Sequence, residues 1–381
     1  MLSRGASRLK SALGRSCKQP AQTCAFSEEA LSRYCTGGYH PVRIGDGFNA
    51  GKYKVLRKLG YGVYSTILTA ESYWSGHDTF ELEVLRHVRI QGTSHRGANH
   101  ILGLLDEFEH RGPNGNHMCL VVKPMGPDMT KYRRLFPKAR IPLPMLLLAL
   151  EFLHDECGTI HTDIKPQNIL LETPAINKMF ECAPSEVFTP QLPPLAPPND
   201  FYHPSEQLSS GEQDLATATD ISIRLADFGT ASWVDKHLTE WIQPQMLRAP
   251  EVILGAKWDS KVDIWNVGLV IWELAEGSLV FDGTWTSTAP YTAEAHLAQM
   301  EAVLGCIPKS LLARSKDGDR FSDHEGGQLT TYAWLFATQN LQLSAAEKTS
   351  FLEFIQSMVK LDPEERPSAS KLLEAQWLKS A

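Results

Sequence analysis

His161-Thr162-Asp163-Ile164-Lys165-Pro166-Gln167-Asn168 sets a carboxylate, an ammonium and a carboxamide at fixed offsets on one short stretch. Asp227-Phe228-Gly229 follows downstream with a second carboxylate. Together these groups match what phosphoryl transfer requires. Asp163 can orient a hydroxyl and accept its proton, Lys165 can neutralise charge on a transferring phosphoryl, and Asn168 and Asp227 can supply oxygens to Mg²⁺.

Upstream, the apolar and charged residues of Lys54-Val55-Leu56-Arg57-Lys58-Leu59 alternate as in a half-buried strand, and the run ends in Gly60-Tyr61-Gly62. A Gly-x-Gly turn is weak alone but gains meaning from the motifs that follow it. Phe80, Leu82, Leu85 and Val88 fall at helical spacing within Asp78 to Val88. Met118 to Val122 reads as a short strand broken by Lys123-Pro124-Met125-Gly126, a hinge signal. Beyond it, Leu146 to His154, Asp263 to Ala275, Ala293 to Leu304 and Ala345 to Lys360 carry helical periodicity.

Between Glu172 and Asp220 eight prolines (Pro174, Pro184, Pro190, Pro193, Pro194, Pro197, Pro198 and Pro204) interrupt the chain. Proline cannot donate a ladder hydrogen bond and restricts its predecessor, so this stretch reads as an exposed insertion. Order is expected to begin near Tyr39 to Val42. The segment 1–25 holds Arg4, Arg8, Lys10, Arg15 and Lys18 and no acid, which suits a mitochondrial transit peptide or a basic tail.

Seven cysteines without paired spacing point neither to a disulfide framework nor to a zinc site. No apolar run approaches the ~18 residues of a membrane span. Without its five basic N-terminal residues the chain moves from a net charge of −7 to −12, which disfavours nucleic-acid binding.

On these residues the chain resembles a eukaryotic protein kinase over roughly residues 39 to 380, and within that group the SR-protein kinase family in its fungal form. The narrower resemblance rests on four features: His-Thr-Asp at 161–163, Tyr39-His40-Pro41-Val42-Arg43-Ile44-Gly45, Leu59-Gly60-Tyr61-Gly62-Val63-Tyr64-Ser65-Thr66, and the long insertion before Asp227. It implies an α+β bilobal fold, with a basic tail at 1–38, a small β-rich N-lobe at 39–122 that is truncated, and a helical C-lobe at 123–380 with its insertion at 173–220. It also implies a monomer that uses ATP and Mg²⁺ to phosphorylate Ser/Thr of proteins, Arg/Ser-rich ones in particular, in the cytoplasm or nucleus.

Carried over by position, the resemblance makes Asp163 and Lys165 catalytic and Asn168 and Asp227 metal ligands. Leu59, Gly60, Tyr61, Gly62 and Val63 would bind the nucleotide, with Gly60 and Gly62 covering its phosphates. Val122 would be the gatekeeper, the Lys123 carbonyl and Met125 amide would meet adenine, and Leu170 would floor the purine. Glu81 would be the helix glutamate that pairs with a lysine on the third strand. Glu251 would pair with Arg366, and Asp263 would anchor the catalytic loop. Thr162 stands where most kinases have an arginine that pairs with a phosphorylated residue, which predicts activity without such gating.

The pattern breaks in the small lobe. No lysine lies between Lys58 and Lys123, and only the stretch from Ile67 to Phe80 separates Thr66 from Glu81. That span is short for two strands of about five residues with their connections, so the third strand is expected to be missing. The helix before the catalytic loop, from Pro142-Leu143-Pro144-Met145-Leu146, also reads about two turns short. Lys58 is a candidate replacement cation, and a pseudokinase acting as a binding scaffold is the alternative function.

Overall fold

The computed structural model describes residues 28–61, 66–69, 72–75, 79–92, 94–135, 142–172, 195, 199–205, 221–318 and 345–380. Contacts divide the chain into two compact units. The first contains 1–77, 107–121 and 188–207; the second contains 78–106, 122–187 and 208–381. The helix that carries Glu81 therefore groups with the large unit, and part of the insertion groups with the small one. The sequence boundaries at 39–122 and 123–380 do not follow this division.

In the small unit a hairpin of β1 (Gly47–Phe48) and β2 (Tyr53–Lys54) precedes β3 (Arg57–Tyr61). Its turn holds Asn49, Ala50 and Gly51 at positive φ, a conformation that asparagine and glycine adopt cheaply. A five-stranded sheet then runs in the order β3, β4 (Thr66–Thr69), β5 (Ser72–Ser75), β7 (Gly115–Val122), β6 (Leu104–Gly112). Val42, Phe48, Tyr53, Val55, Cys119 and Val121 form its core, with Tyr53 stacked on Phe108 at 5.6 Å.

The expected loss of the third strand is corrected. Two short strands, Thr66–Thr69 and Ser72–Ser75, fit between Tyr61 and the following helix because each is shorter than the strand length assumed. Ser72–Ser75 pairs with Ile67–Leu68 on one side and with Met118–Leu120 on the other. The strand is present; it carries Ser-Tyr-Trp-Ser and no lysine.

Two further expectations change in this unit. The alternation in Lys54–Leu59 implies outward-facing charges, yet Arg57 and Lys58 are both buried. Order does not wait for Tyr39: Glu29 is buried, Leu31–Arg33 forms a helical turn, and Tyr34 packs on Phe201 at 4.8 Å. Nor is the insertion wholly exposed, since Tyr202, His203 and Pro204 are buried and Arg43 makes a bidentate pair with Asp200. The rest of the Pro-rich stretch and residues 1–27 lie outside the described residues.

The large unit is mainly helical. α1 (Thr79–Gln91) and α2 (Met129–Leu135) come first, and α3 (Leu143–Glu151) continues directly into a wider turn over Phe152–Glu156. The helix before the catalytic loop thus runs from Leu143 to Glu156. A two-residue β8 (Thr159–Ile160) leads into the motif at 161–168, and β9 (Ile169–Glu172) pairs with β10 (Ser222–Leu225). β11 (Ser232–Trp233) pairs back onto β8.

Beyond these lie α4 (Pro250–Ile253), α5 (Lys261–Glu276), α6 (Ala293–Leu304), α7 (Lys309–Ala313), α8 (Ala345–Met358), α9 (Ala369–Leu373) and α10 (Gln376–Ser380). α5 is buried along nearly its whole length, as its apolar sequence on all sides demands. A Cβ on Gly268 would come within 2.8 Å of Val359 Cγ1 and 3.1 Å of Met358 Cβ. Glycine at that position is what lets the end of α8 approach α5 closely. The Thr292 side chain accepts from Ala295 N at 3.0 Å and starts α6.

Candidate active site

The catalytic loop is built around Asp263, fully buried on α5. Its carboxylate accepts from His161 N at 2.8 Å and Thr162 N at 2.9 Å, and His154 Nε2 lies at 2.8 Å. These bonds hold Thr162 at φ +67°, a left-handed conformation that costs a non-glycine residue roughly 1–3 kcal/mol. Asp227 is held likewise at φ +69°. Both are unfavourable backbone states imposed by their surroundings.

Asp163, Lys165 and Asn168 converge. Lys165 Nζ donates to Asp163 Oδ2 at 2.7 Å, and Asn168 Nδ2 donates to the Asp163 carbonyl at 2.9 Å and to Oδ2 at 3.0 Å. One carboxylate oxygen is thereby fixed. The other, Oδ1, accepts no hydrogen bond among the described residues and is open to a substrate hydroxyl.

Asp227 is placed beside this group through its neighbours. Ala226 N donates to the Asn168 carbonyl at 2.9 Å, His161 Nε2 donates to the Ala226 carbonyl at 3.1 Å, and buried Phe228 packs 5.0 Å from the His161 ring. The Asp227 side chain is exposed and makes no hydrogen bond among the described residues. Because Asn168 uses its N–H groups on Asp163, its oxygen is free for a cation. An exposed carboxylate and a carboxamide oxygen fit Mg²⁺, which favours oxygen ligands and retains several waters.

The segment 122–126 fits a purine in the same sense. The Lys123 carbonyl and Met125 N–H take no hydrogen bond among the described residues, so one acceptor and one donor remain for a base edge. Pro124 between them has no N–H to satisfy. Half-buried Leu170 lies on β9 opposite Arg224, two residues from Glu172. Glu172, which sequence reading did not single out, accepts from Lys123 Nζ and Arg224 Nε. Burial raises its carboxyl pKa, but those two cations outweigh it and hold the group below the ordinary range.

Glu81 sits buried on α1. In the small unit, Leu59, Gly60 and Tyr61 end β3, where pairing shifts between Lys58 and Gly60, and Tyr61 is exposed. Gly62 and Val63 lie outside the described residues. Lys58 does not remain free to contact a nucleotide. Its Nζ donates to Glu29 at 2.7 Å, to Glu28 at 3.1 Å and to the His203 carbonyl at 3.0 Å, and it lies 5.3 Å from the Tyr202 ring. The candidate replacement cation is thus engaged elsewhere: it closes a buried cluster that joins the N-terminal segment and the insertion to β3.

The remaining anchors are structural. Arg366 and Glu251 are fully buried and bidentate at 2.6 and 2.8 Å, and Arg366 also donates to the carbonyls of Lys360 and Lys261. At the position where most kinases carry arginine, Thr162 Oγ1 donates to the Thr230 carbonyl at 2.6 Å. The segment after Asp227 is thus tied to the catalytic loop by a neutral hydroxyl. Neither Thr230 nor His154 stood out in the sequence, since only the fold brings them to the loop.

The family description of the protein kinase domain matches residues 53–378. A serine/threonine protein kinase of Aspergillus fumigatus is 33% identical over 376 residues, covering 93% of this chain and 91% of its own length. The serine/threonine-protein kinase SRPK of Physarum polycephalum is 28% identical over 394 residues, at 92% and 91% coverage. Human SRSF protein kinase 3 is 24% identical over 514 residues, at 92% and 90% coverage. The motif at 161–168 on its Asp263 anchor, the Glu251–Arg366 pair and these matches agree: the chain belongs to the protein kinase family, as a serine/threonine kinase similar to SR-protein kinases.

Proposed function

We propose that the chain transfers the γ-phosphoryl group of Mg-ATP to serine in Arg/Ser-rich proteins. The observation that carries this reading is the convergence of Asp163, Lys165 and Asn168, with one oxygen of Asp163 left open. Bound Mg-ATP supplies the transferable phosphoryl. Asp163 orients the serine hydroxyl and takes its proton, while Lys165, 2.7 Å away, offsets negative charge at the transfer point. Asn168 and Asp227 present the metal-binding oxygens.

The substrate class rests on the relatives named SRPK and SRSF protein kinase. On the resemblance to that family its acidic docking groove would lie near α6, which carries only Glu294 and Glu301 as acids. Glu301 is engaged, accepting from Ile307 N at 3.1 Å. The preference for arginine is accordingly expected to be weaker than a strongly acidic groove would give. Incorporation of labelled phosphate into an Arg-Ser peptide, lost in Asp163→Ala, is the expected result; no incorporation at high enzyme concentration refutes the reading.

A second reading is favoured by one observation. The strand that would hold the phosphate-binding lysine is Ser72–Ser75, and Lys58 is committed to Glu28 and Glu29. On this reading the chain is a scaffold that binds partners without turnover, and the same assay separates the two. For location we favour cytoplasm and nucleus, with the mitochondrion as alternative because the segment 1–25 is basic. Fractionation of cells that express the full chain decides between them.

A further inference from the structure

We infer that Trp233 is a positioning residue that latches α1 to the segment following Asp227 through edge-to-face aromatic contacts. This rests on the kinase reading for its effect on turnover, but its geometry stands independently. The Trp233 ring meets two residues of α1 edge to face: Phe80 with centroids 6.0 Å apart at 73°, and His87 at 5.1 Å and 83°. Phe80 and His87 are seven residues apart, two turns along one face of the helix. Aromatic pairs favour this edge-to-face arrangement.

A second set of contacts ties the same pair of elements to the turn before the catalytic loop. Trp233 pairs with Thr159 in the β11–β8 ladder, and Val234 N donates to the Gly158 carbonyl at 2.9 Å. His87 Nε2 lies 3.0 Å from the Cys157 carbonyl. A carbonyl can only accept, so Nε2 carries the hydrogen. α1 and β11 therefore both fasten to Cys157–Thr159, two residues ahead of His161.

The consequence is positional. Glu81 lies on the first turn of α1, one residue from Phe80, so fixing Phe80 fixes the backbone that carries it. Asp227 lies six residues before Trp233, and between them Thr230 is bonded to Thr162. None of these contacts needs an added charge. The latch is closed by composition, through tryptophan, phenylalanine, histidine and threonine.

The test uses the full chain as wild type, Trp233→Ala and Trp233→Phe, with amide hydrogen exchange and steady-state kinetics on an Arg-Ser peptide. Losing two aromatic contacts predicts about 10- to 100-fold faster exchange in α1 for Trp233→Ala, with α5 unchanged; Trp233→Phe stays within about threefold of wild type. kcat falls with the loosening of α1 while the peptide KM holds. Unchanged α1 exchange in Trp233→Ala overturns the latch, as does equal loosening of α5, which would mark Trp233 as general packing. If wild type transfers no phosphate while α1 still loosens selectively, the latch survives and the kinase reading falls.

Discussion

Replacing Lys58 by methionine separates two roles that would leave opposite signatures. The side chains of Lys58, Glu28 and Glu29 are 4%, 9% and 1% exposed, and the ammonium is the cation that faces both carboxylates. Methionine preserves the apolar stem and removes the charge. Two nearly buried carboxylates would then keep their hydrogen bonds from Ser205 and Tyr34 but lose the Lys58 cation, and removing one partner of a buried ion pair costs about 3–5 kcal/mol. Because Glu28 also holds Ser205 through its backbone N and Oγ, at 2.7 and 2.6 Å, the loss should free both the N-terminal segment and residues 199–205. The assay is thermal unfolding with limited trypsin digestion at Arg33. The small unit should melt roughly 10 °C or more lower, with rapid cleavage, and Glu28→Gln/Glu29→Gln added to Lys58→Met should restore most of the loss. A variant that melts like wild type but raises the KM for ATP would refute the reasoning and return Lys58 to the nucleotide.

Arg366→Met leaves Glu251 buried and unpaired and should destabilise the large unit by about 3–5 kcal/mol, read as a lower denaturant midpoint at constant slope. Asp263→Ala removes the acceptor of the His161 and Thr162 amides; kcat should drop by about 10²-fold or more with little change in peptide KM, whereas a changed KM alone would contradict the anchoring role. His296 is fully buried against Tyr291 and Phe281, and burial, with Arg248 second, lowers its pKa from 6.5 to about 4. The unfolded chain therefore binds the extra proton first, so stability is complete above about pH 6.5. It declines as pH falls toward 4 by up to about 3 kcal/mol, and His296→Gln should flatten that part of the denaturation profile.

The large unit was legible because its informative residues are close in sequence. Offsets within 161–168 fix which groups can meet on one loop, and the apolar runs at 263–275 and 293–304 define α5 and α6 within a few residues. The small unit was less legible because its determinants are distant. Lys58 sits in a run that alternates like a surface strand, and nothing local indicates that Glu28 and Glu29, far upstream, would draw it inside. Tyr202 was hidden for the same reason: prolines signal irregular backbone but not burial, and its hydroxyl reaches the Glu29 carbonyl only in the folded unit. The two strands between Tyr61 and α1 were missed on length, since four-residue strands satisfy the sheet where average ones would not fit.

Thr162 and Trp233 bear on a single question, what holds the segment after Asp227 in place. An arginine at 162 would be an uncompensated buried cation until a phosphate arrived, so its ordering energy would depend on modification. Threonine inverts that dependence. Its hydroxyl is satisfied at once by the Thr230 carbonyl, and the segment downstream is held by the Trp233 contacts and by Gln243, whose side chain bonds Val262 O, Asn266 Oδ1 and Ala249 N at 2.9 Å each. Phosphatase treatment of the purified chain should therefore leave phosphate transfer to an Arg-Ser peptide unchanged. A loss of transfer would mean that a phosphate, and not this neutral network, orders the segment. If transfer is slow in treated and untreated protein alike, the limit lies instead with the lysine-free strand Ser72–Ser75, where a missing charge-assisted phosphate contact costs on the order of 10²–10³ in rate.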